Sequence, residues 1–177
     1  MILMLGVKTM ELFSRKIDPD KTAAKAFQFL NSDFQEIRNY AGMSATDLSS
    51  PLIDPSGVIN HSSVNHQDEA FHAQALQYKG IEVCRHSVNS VLETIKACSN
   101  GPRKPYGTLL YLRFVKYDFD TNVYTKMDIS SSSYYKFRRY ALIQFAEILP
   151  SKQLQYQKDY RIHINNWNLY PDLLVYS

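Results

Sequence analysis

Glycine is scarce in this chain, with six positions in 177, while tyrosine and phenylalanine number thirteen and nine. That balance excludes a glycine-rich linker protein and argues against a disordered chain. Cysteine occurs only at Cys84 and Cys98. Two thiols give neither a disulfide framework nor a zinc spacing, and a cytoplasmic setting is expected. No stretch approaches the ~20 apolar residues of a membrane span, so no membrane partner is expected. The apolar start from Met1 to Val7 lacks a basic flank, a full apolar run and a small-residue cleavage site, and does not read as a signal peptide. Met4 and Met10 leave the start codon open. The motifs of common enzymes are missing as well: there is no Walker loop, nucleophile elbow or HExxH. His61, His66, His72, Cys84, His86 and Cys98 fall in no strong metal pattern, and a Cys-x-His pair on one helix points to different faces. No enzyme, no cofactor and no metal are expected.

Net charge is +3, too small for the whole molecule to act as a basic coat for nucleic acid. Its distribution is more informative. Residues 1–100 carry 9 Lys+Arg against 11 Asp+Glu, residues 101–149 carry 8 against 4, and residues 150–177 carry 3 against 2. The basic excess therefore sits in 101–149, as phosphate neutralisation requires, although a local excess of four also suits a plain solvated face.

Three regions follow from patterning. Residues 19–41 read as a helix capped by Asp18 or Asp20, with Pro19 in the first turn and Gly42 at the stop. Ala23, Phe27, Leu30, Phe34, Ile37 and Ala41 form one apolar stripe, a docking face rather than a site. Residues 43–63 are rich in Ser, Thr, Asp, Pro and Gly and read as a loop. Residues 65–98 read as a long helix whose stripe Ile81, Cys84, Val88, Val91, Ile95, Cys98 suits a seam, packed within the chain or on a second copy. Gly80 marks a break or kink. Ser99-Asn100-Gly101-Pro102 ends that helix and opens a domain boundary.

Residues 104–149 then read as a helix-turn-helix. Pro105 starts a helix to about Tyr117, and Asp118–Asp120 is a turn. Thr121 or Asn122 caps a short helix ending near Met127, and Asp128-Ile129 is a tight turn with Asp128 at a left-handed position. Ser130 caps a third helix that Pro150 stops after Leu149. Val123, Met127, Ile129, Tyr134, Ala141, Phe145 and Ile148 face inward. Ser131, Ser132, Tyr135, Lys136 and Arg139 face outward, with hydroxyls and cations near a helix N-terminus, as a major groove requires. Arg138 lies between faces and either touches a phosphate or snorkels. The bland alternative is an amphipathic helix with a basic exposed side.

The run Ile129-Ser130-Ser-Ser-Ser-Tyr134-Tyr135-Lys136-Phe137-Arg138-Arg139-Tyr140-Ala141-Leu142-Ile143-Gln144-Phe145-Ala146-Glu147 resembles the C-terminal motif of the ArpU family of phage and prophage transcriptional regulators. Ile17-Asp18, Lys21-Thr22, Phe29-Leu30, Ser50-Pro51 and Asn65 resemble that family's N-terminal landmarks. The resemblance implies a helix-turn-helix like region 4 of sigma factors, control of phage late genes, and a recognition face of Ser131, Ser132, Tyr135, Lys136 and Arg139. Asp128 departs from the family's frequent Gly, and residues 150–177 extend past the motif.

The expected architecture is thus mainly α: N-terminal helices over 1–100, a helix-turn-helix over 104–149, and an extension over 150–177. Within the extension, Tyr160, Ile162 and Ile164 alternate with polar residues and Leu169–Val175 could return, a small β-hairpin at the C-terminus that covers the core or binds a partner. The expected partner is double-stranded promoter or operator DNA. Contact with RNA polymerase, and a homodimer through the 65–98 helix, are the other partner readings.

Overall fold

A computed structural model of the chain describes residues 16–43, 68–156 and 168–177, with side chains from residue 77 onward in the second span. The fold is mainly α. Helices α1 (Pro19–Asn31), α2 (Asp33–Tyr40) and α3 (Asp68–Ala97) precede a hairpin of β1 (Asn100–Gly101) and β2 (Lys104–Pro105). There follow α4 (Tyr106–Leu110), one π-helical turn (Tyr111–Val115), α5 (Asp120–Lys126) and α6 (Ser131–Tyr156). Among the described residues no helix is long and apolar enough to cross a membrane.

The first stripe becomes two helices rather than one. Asp18 caps α1 through its carboxylate, which accepts from the Lys21 amide at 3.1 Å, and Pro19 sits in the first turn. The chain breaks at Ser32, within the polar run Asn31-Ser32-Asp33, whose short side chains suit caps better than helix interiors. The break uncovers the Leu30 carbonyl, which accepts from Gln35 Nε2 at 2.9 Å. Leu30, Phe34 and Ile37 stay buried on both sides of it. Gly42 ends the pair with φ of +67°, a conformation that favours glycine.

Helix α3 runs unbroken through Gly80, so there is no break at that position. Gly80 is buried, and packing along the helix outweighs the ~1 kcal/mol that an interior glycine costs. The stripe from Cys84 to Cys98 is buried in the chain's own core with α1, α2 and α6. That core also takes Tyr106, Leu110, Phe114 and Val115 from beyond the hairpin, and Leu169 and Leu173 from the C-terminal segment. Ser87 Oγ donates to the Leu169 carbonyl at 2.6 Å, and the Val175 amide donates to Thr22 Oγ1 at 3.1 Å, so the segment lies across α1 and α3.

The small hairpin lies at 100–105, and residues 168–175 contain no strand. An isolated bridge joins Ile17 to Tyr176. The alternating run 160–164 lies outside the described residues, as do residues 44–63 of the expected loop and the apolar start.

Two boundaries around the helix-turn-helix also differ. Pro105 belongs to β2, and the helix begins at Tyr106 and ends in the π turn, not at Tyr117. The extra residue in that turn lets Phe114 and Val115, adjacent in sequence, both be fully buried. Gln35 Nε2 and Arg38 Nη1 donate to the Phe114 and Val115 carbonyls at 2.9 Å each, satisfying the groups this turn leaves open. Helix α6, for its part, does not stop at Pro150 but continues to Tyr156. An interior proline forfeits a backbone bond and costs about 3 kcal/mol. Burial of Leu149 and Gln153, and a 2.7 Å bond from the Tyr156 hydroxyl to Glu93 Oε1, hold the extra turns.

Candidate nucleic-acid interface

Helix α5, the four residues 127–130 and the first half of α6 follow one another in the order expected of a helix-turn-helix. Phe119, in extended conformation, precedes α5 without a side-chain cap, so neither Thr121 nor Asn122 caps it. Asp128 adopts φ of +51° in the turn, the left-handed position read from the sequence. Ser130 caps α6, its hydroxyl accepting from the Ser133 amide at 3.2 Å.

Beneath this tip lies a core of Leu109, Val123 and Tyr134, with Met127 and Ile129 packed against it. A polar cluster ties the same elements. Asp120, the first residue of α5, receives Arg113 Nε and the Tyr134 hydroxyl on Oδ1 and Arg138 Nη1 on Oδ2, each at 2.7 Å. One carboxylate therefore joins the π turn, α5 and α6. Burial would raise the Asp120 carboxyl, but the Tyr134 hydroxyl and the two guanidinium groups outweigh it and hold it below its ordinary value. Burial and the same carboxylate push the Tyr134 phenol well up.

The outward residues divide by what they touch. Ser131, Ser132, Tyr135 and Lys136 are exposed, and Lys136 is in no ion pair or hydrogen bond among the described residues. Arg139 is partly exposed, its side chain 39% accessible, and its Nε is held at 2.6 Å by the more exposed Asp20 of α1. The bond to Asp20 raises its pKa above the ordinary guanidinium value. Arg138 is placed differently. Its side chain is 22% exposed, it is engaged by Asp120, and its guanidinium stacks over Tyr135, Phe27 and Tyr134 at 4.8, 5.1 and 5.6 Å. It snorkels along aromatic surface and positions the helix.

Sequence reasoning missed Asp120 as the hub and Arg113 as its second cation. An acidic residue opening a short helix was the visible signal, but partners seven, fourteen and eighteen residues away carry no periodicity. Cys84 and Cys98 are buried, and burial pushes their thiols up to about 11 and about 12, which leaves them protonated and unreactive at neutral pH. Among the described residues no three His, Cys, Asp or Glu side chains gather as metal ligands do.

Compared with known proteins, the chain matches no family model, no curated protein and no solved structure.

Proposed function

We propose that this chain is a sequence-specific double-stranded DNA-binding regulator of transcription that presents the first turns of α6 to a major groove. The observation that carries the reading is the exposed set Ser131, Ser132, Tyr135 and Lys136, with the partly exposed Arg139 beside it, at the capped start of a helix that follows a left-handed turn. Backbone amides and hydroxyls there suit phosphate, and an unpaired Lys and a displaceable Arg suit guanine edges. Arg139 exchanges an exposed carboxylate for a nucleic-acid acceptor at little cost, since solvent already screens that pair. Arg138 acts one step back, fixing the helix from which the others project. The resemblance to ArpU-type regulators of phage and prophage late genes agrees with this reading.

Selection of bound duplexes from a random pool tests it: a recovered consensus is the expected result. Lys136→Ala with Arg139→Ala should abolish binding to that consensus and leave the unfolding midpoint unchanged. Failure to enrich any duplex would reject the reading.

A second reading, an interaction module that grips RNA polymerase without reading DNA, draws on one feature. Phe119 is 77% exposed and Tyr117 52%, on the loop between the π turn and α5. Exposed aromatics of this kind anchor protein contacts. Capture of polymerase in the absence of DNA, lost on Phe119→Ser, would favour it. A homodimer would have to use surface other than the Cys84–Cys98 stripe, which the chain's own helices cover; light scattering at high concentration reports it.

A further inference from the structure

The hairpin at 100–105 has no packing reason to exist. Each strand is two residues long, and Asn100, Gly101, Pro102, Arg103 and Lys104 are all exposed. A ladder this short is not stable alone in water. It is held from its base. The Asn100 side-chain oxygen accepts from the Thr108 amide at 3.1 Å and the Thr108 hydroxyl at 2.7 Å. The Ser99 carbonyl accepts from the Gly107 amide at 3.0 Å. Gly107 is needed there, because a Cβ would stand 3.0 Å from the Ile95 carbonyl oxygen.

The base is also tied to the reading helix. The Ser99 amide donates to Gln144 Oε1 at 2.9 Å, and Gln144 Nε2 donates to Ser99 Oγ at 3.0 Å. Gln144 continues the i, i+4 row that begins Ser132, Lys136, Tyr140, all three exposed. That row therefore runs from the proposed groove contact to the foot of the hairpin, about 12 Å beyond Lys136 at 1.5 Å per residue. The other row, Tyr135 and Arg139, runs to Asp20 of α1. The foot of the hairpin and α1 are thus each bonded to α6, at Gln144 and at Arg139, on two different rows of the helix.

What the hairpin offers is charge. Arg103 and Lys104 stand at its tip, and Lys96 borders the hollow beside Asn100. None of the three is in an ion pair among the described residues. Acidic groups on these elements include Glu147, two turns past Tyr140 on α6, Glu93, one turn before Lys96 on α3, and Asp20 on α1. The major groove is about 12 Å wide, so a rigid cationic arm set beside a helix in that groove meets the sugar-phosphate strand at its edge.

We propose that the Asn100–Pro105 hairpin is a second DNA contact, an arm whose Arg103 and Lys104 clamp the phosphate backbone beside the groove that α6 enters. This inference rests on the DNA-binding reading and adds to it a contact that carries affinity without sequence information.

The test compares the wild-type chain, Arg103→Ala with Lys104→Ala, and Lys136→Ala with Arg139→Ala. The probes are the selected duplex and a mixed-sequence duplex of equal length, across a salt series. The hairpin variant should weaken binding to both probes by the same factor, roughly ten- to hundredfold at low salt, and lower the salt slope by about 2. Its preference for the selected duplex should be unchanged. Loss confined to the selected duplex would overturn the phosphate role. Unchanged affinity and slope, alongside lost binding in the Lys136/Arg139 variant, would overturn the hairpin inference alone. A wild-type chain that binds neither probe would remove both readings.

Discussion

The main core and the small core under the helix-turn-helix tip solve the same problem with different materials. The main core draws on α1, α2, α3, α4, the π turn, α6 and the C-terminal segment, and its largest fully buried members are Phe34, Phe114 and Phe145. The small core has Leu109, Val123 and Tyr134 as its buried members. Three side chains bury too little apolar surface to fix two helices, since each contributes only about 1.5–3 kcal/mol. A carboxylate with three donors supplies what area cannot. The tip is therefore held by directed, charge-dependent bonds, and the body by non-directional burial.

The largest effect should come from the body. Phe145→Ala should destabilise the whole fold by about 3–5 kcal/mol, measured by denaturant unfolding. An effect under ~1 kcal/mol would mean that the main core is not close-packed. Asp120→Asn comes next. It leaves Arg113 and Arg138 facing a neutral amide and should cost about 2–3 kcal/mol. Hydrogen exchange should show the loss concentrated in α5 and the start of α6, and uniform loss would erase the distinction between the two cores.

The same residue gives the tip its pH dependence. The native Asp120 carboxyl titrates below its ordinary value. Its contribution is therefore complete above the unfolded value of about 3.9 and is lost as pH falls through the lower native one. Acid should loosen α5 before the main core, and Asp120→Asn should remove that early phase. Ser130→Ala, which deletes the cap of α6, should cost about 1 kcal/mol. Smallest of all, Asp20→Asn should leave the unfolding midpoint nearly where it is, because the Arg139 pair lies at the surface, where an ion pair contributes little. A shift in that midpoint would make α1 part of the tip's support.

Periodicity exposed the body well. The stripes Ala23–Ala41 and Ile81–Cys98 are buried except for the partly buried Phe27 and Ile81, because a helix that repeats apolar residues every three or four positions has one face to hide. The turn at Asp128 and the cap at Ser130 were legible because each is a local choice of one residue. The π turn, the passage through Pro150 and the break at Ser32 were not. The break at Ser32 lies in a short polar run that the apolar stripe passes over, and the other two are held by residues distant in sequence: Gln35 and Arg38 for the π turn, Glu93 and the C-terminal segment for Pro150. The Asp120 cluster was hidden for the same reason. Its members look like ordinary surface charges until the fold brings them together.

The continuity of α6 through Pro150 has a mechanical consequence. A rod of 26 residues is about 39 Å long, with one end in the solvent-facing tip and the other pinned by Glu93. Its two ends are thus anchored by separate bonds, Tyr156 to Glu93 at the far end and Tyr134 and Arg138 to Asp120 at the end from which Lys136 projects.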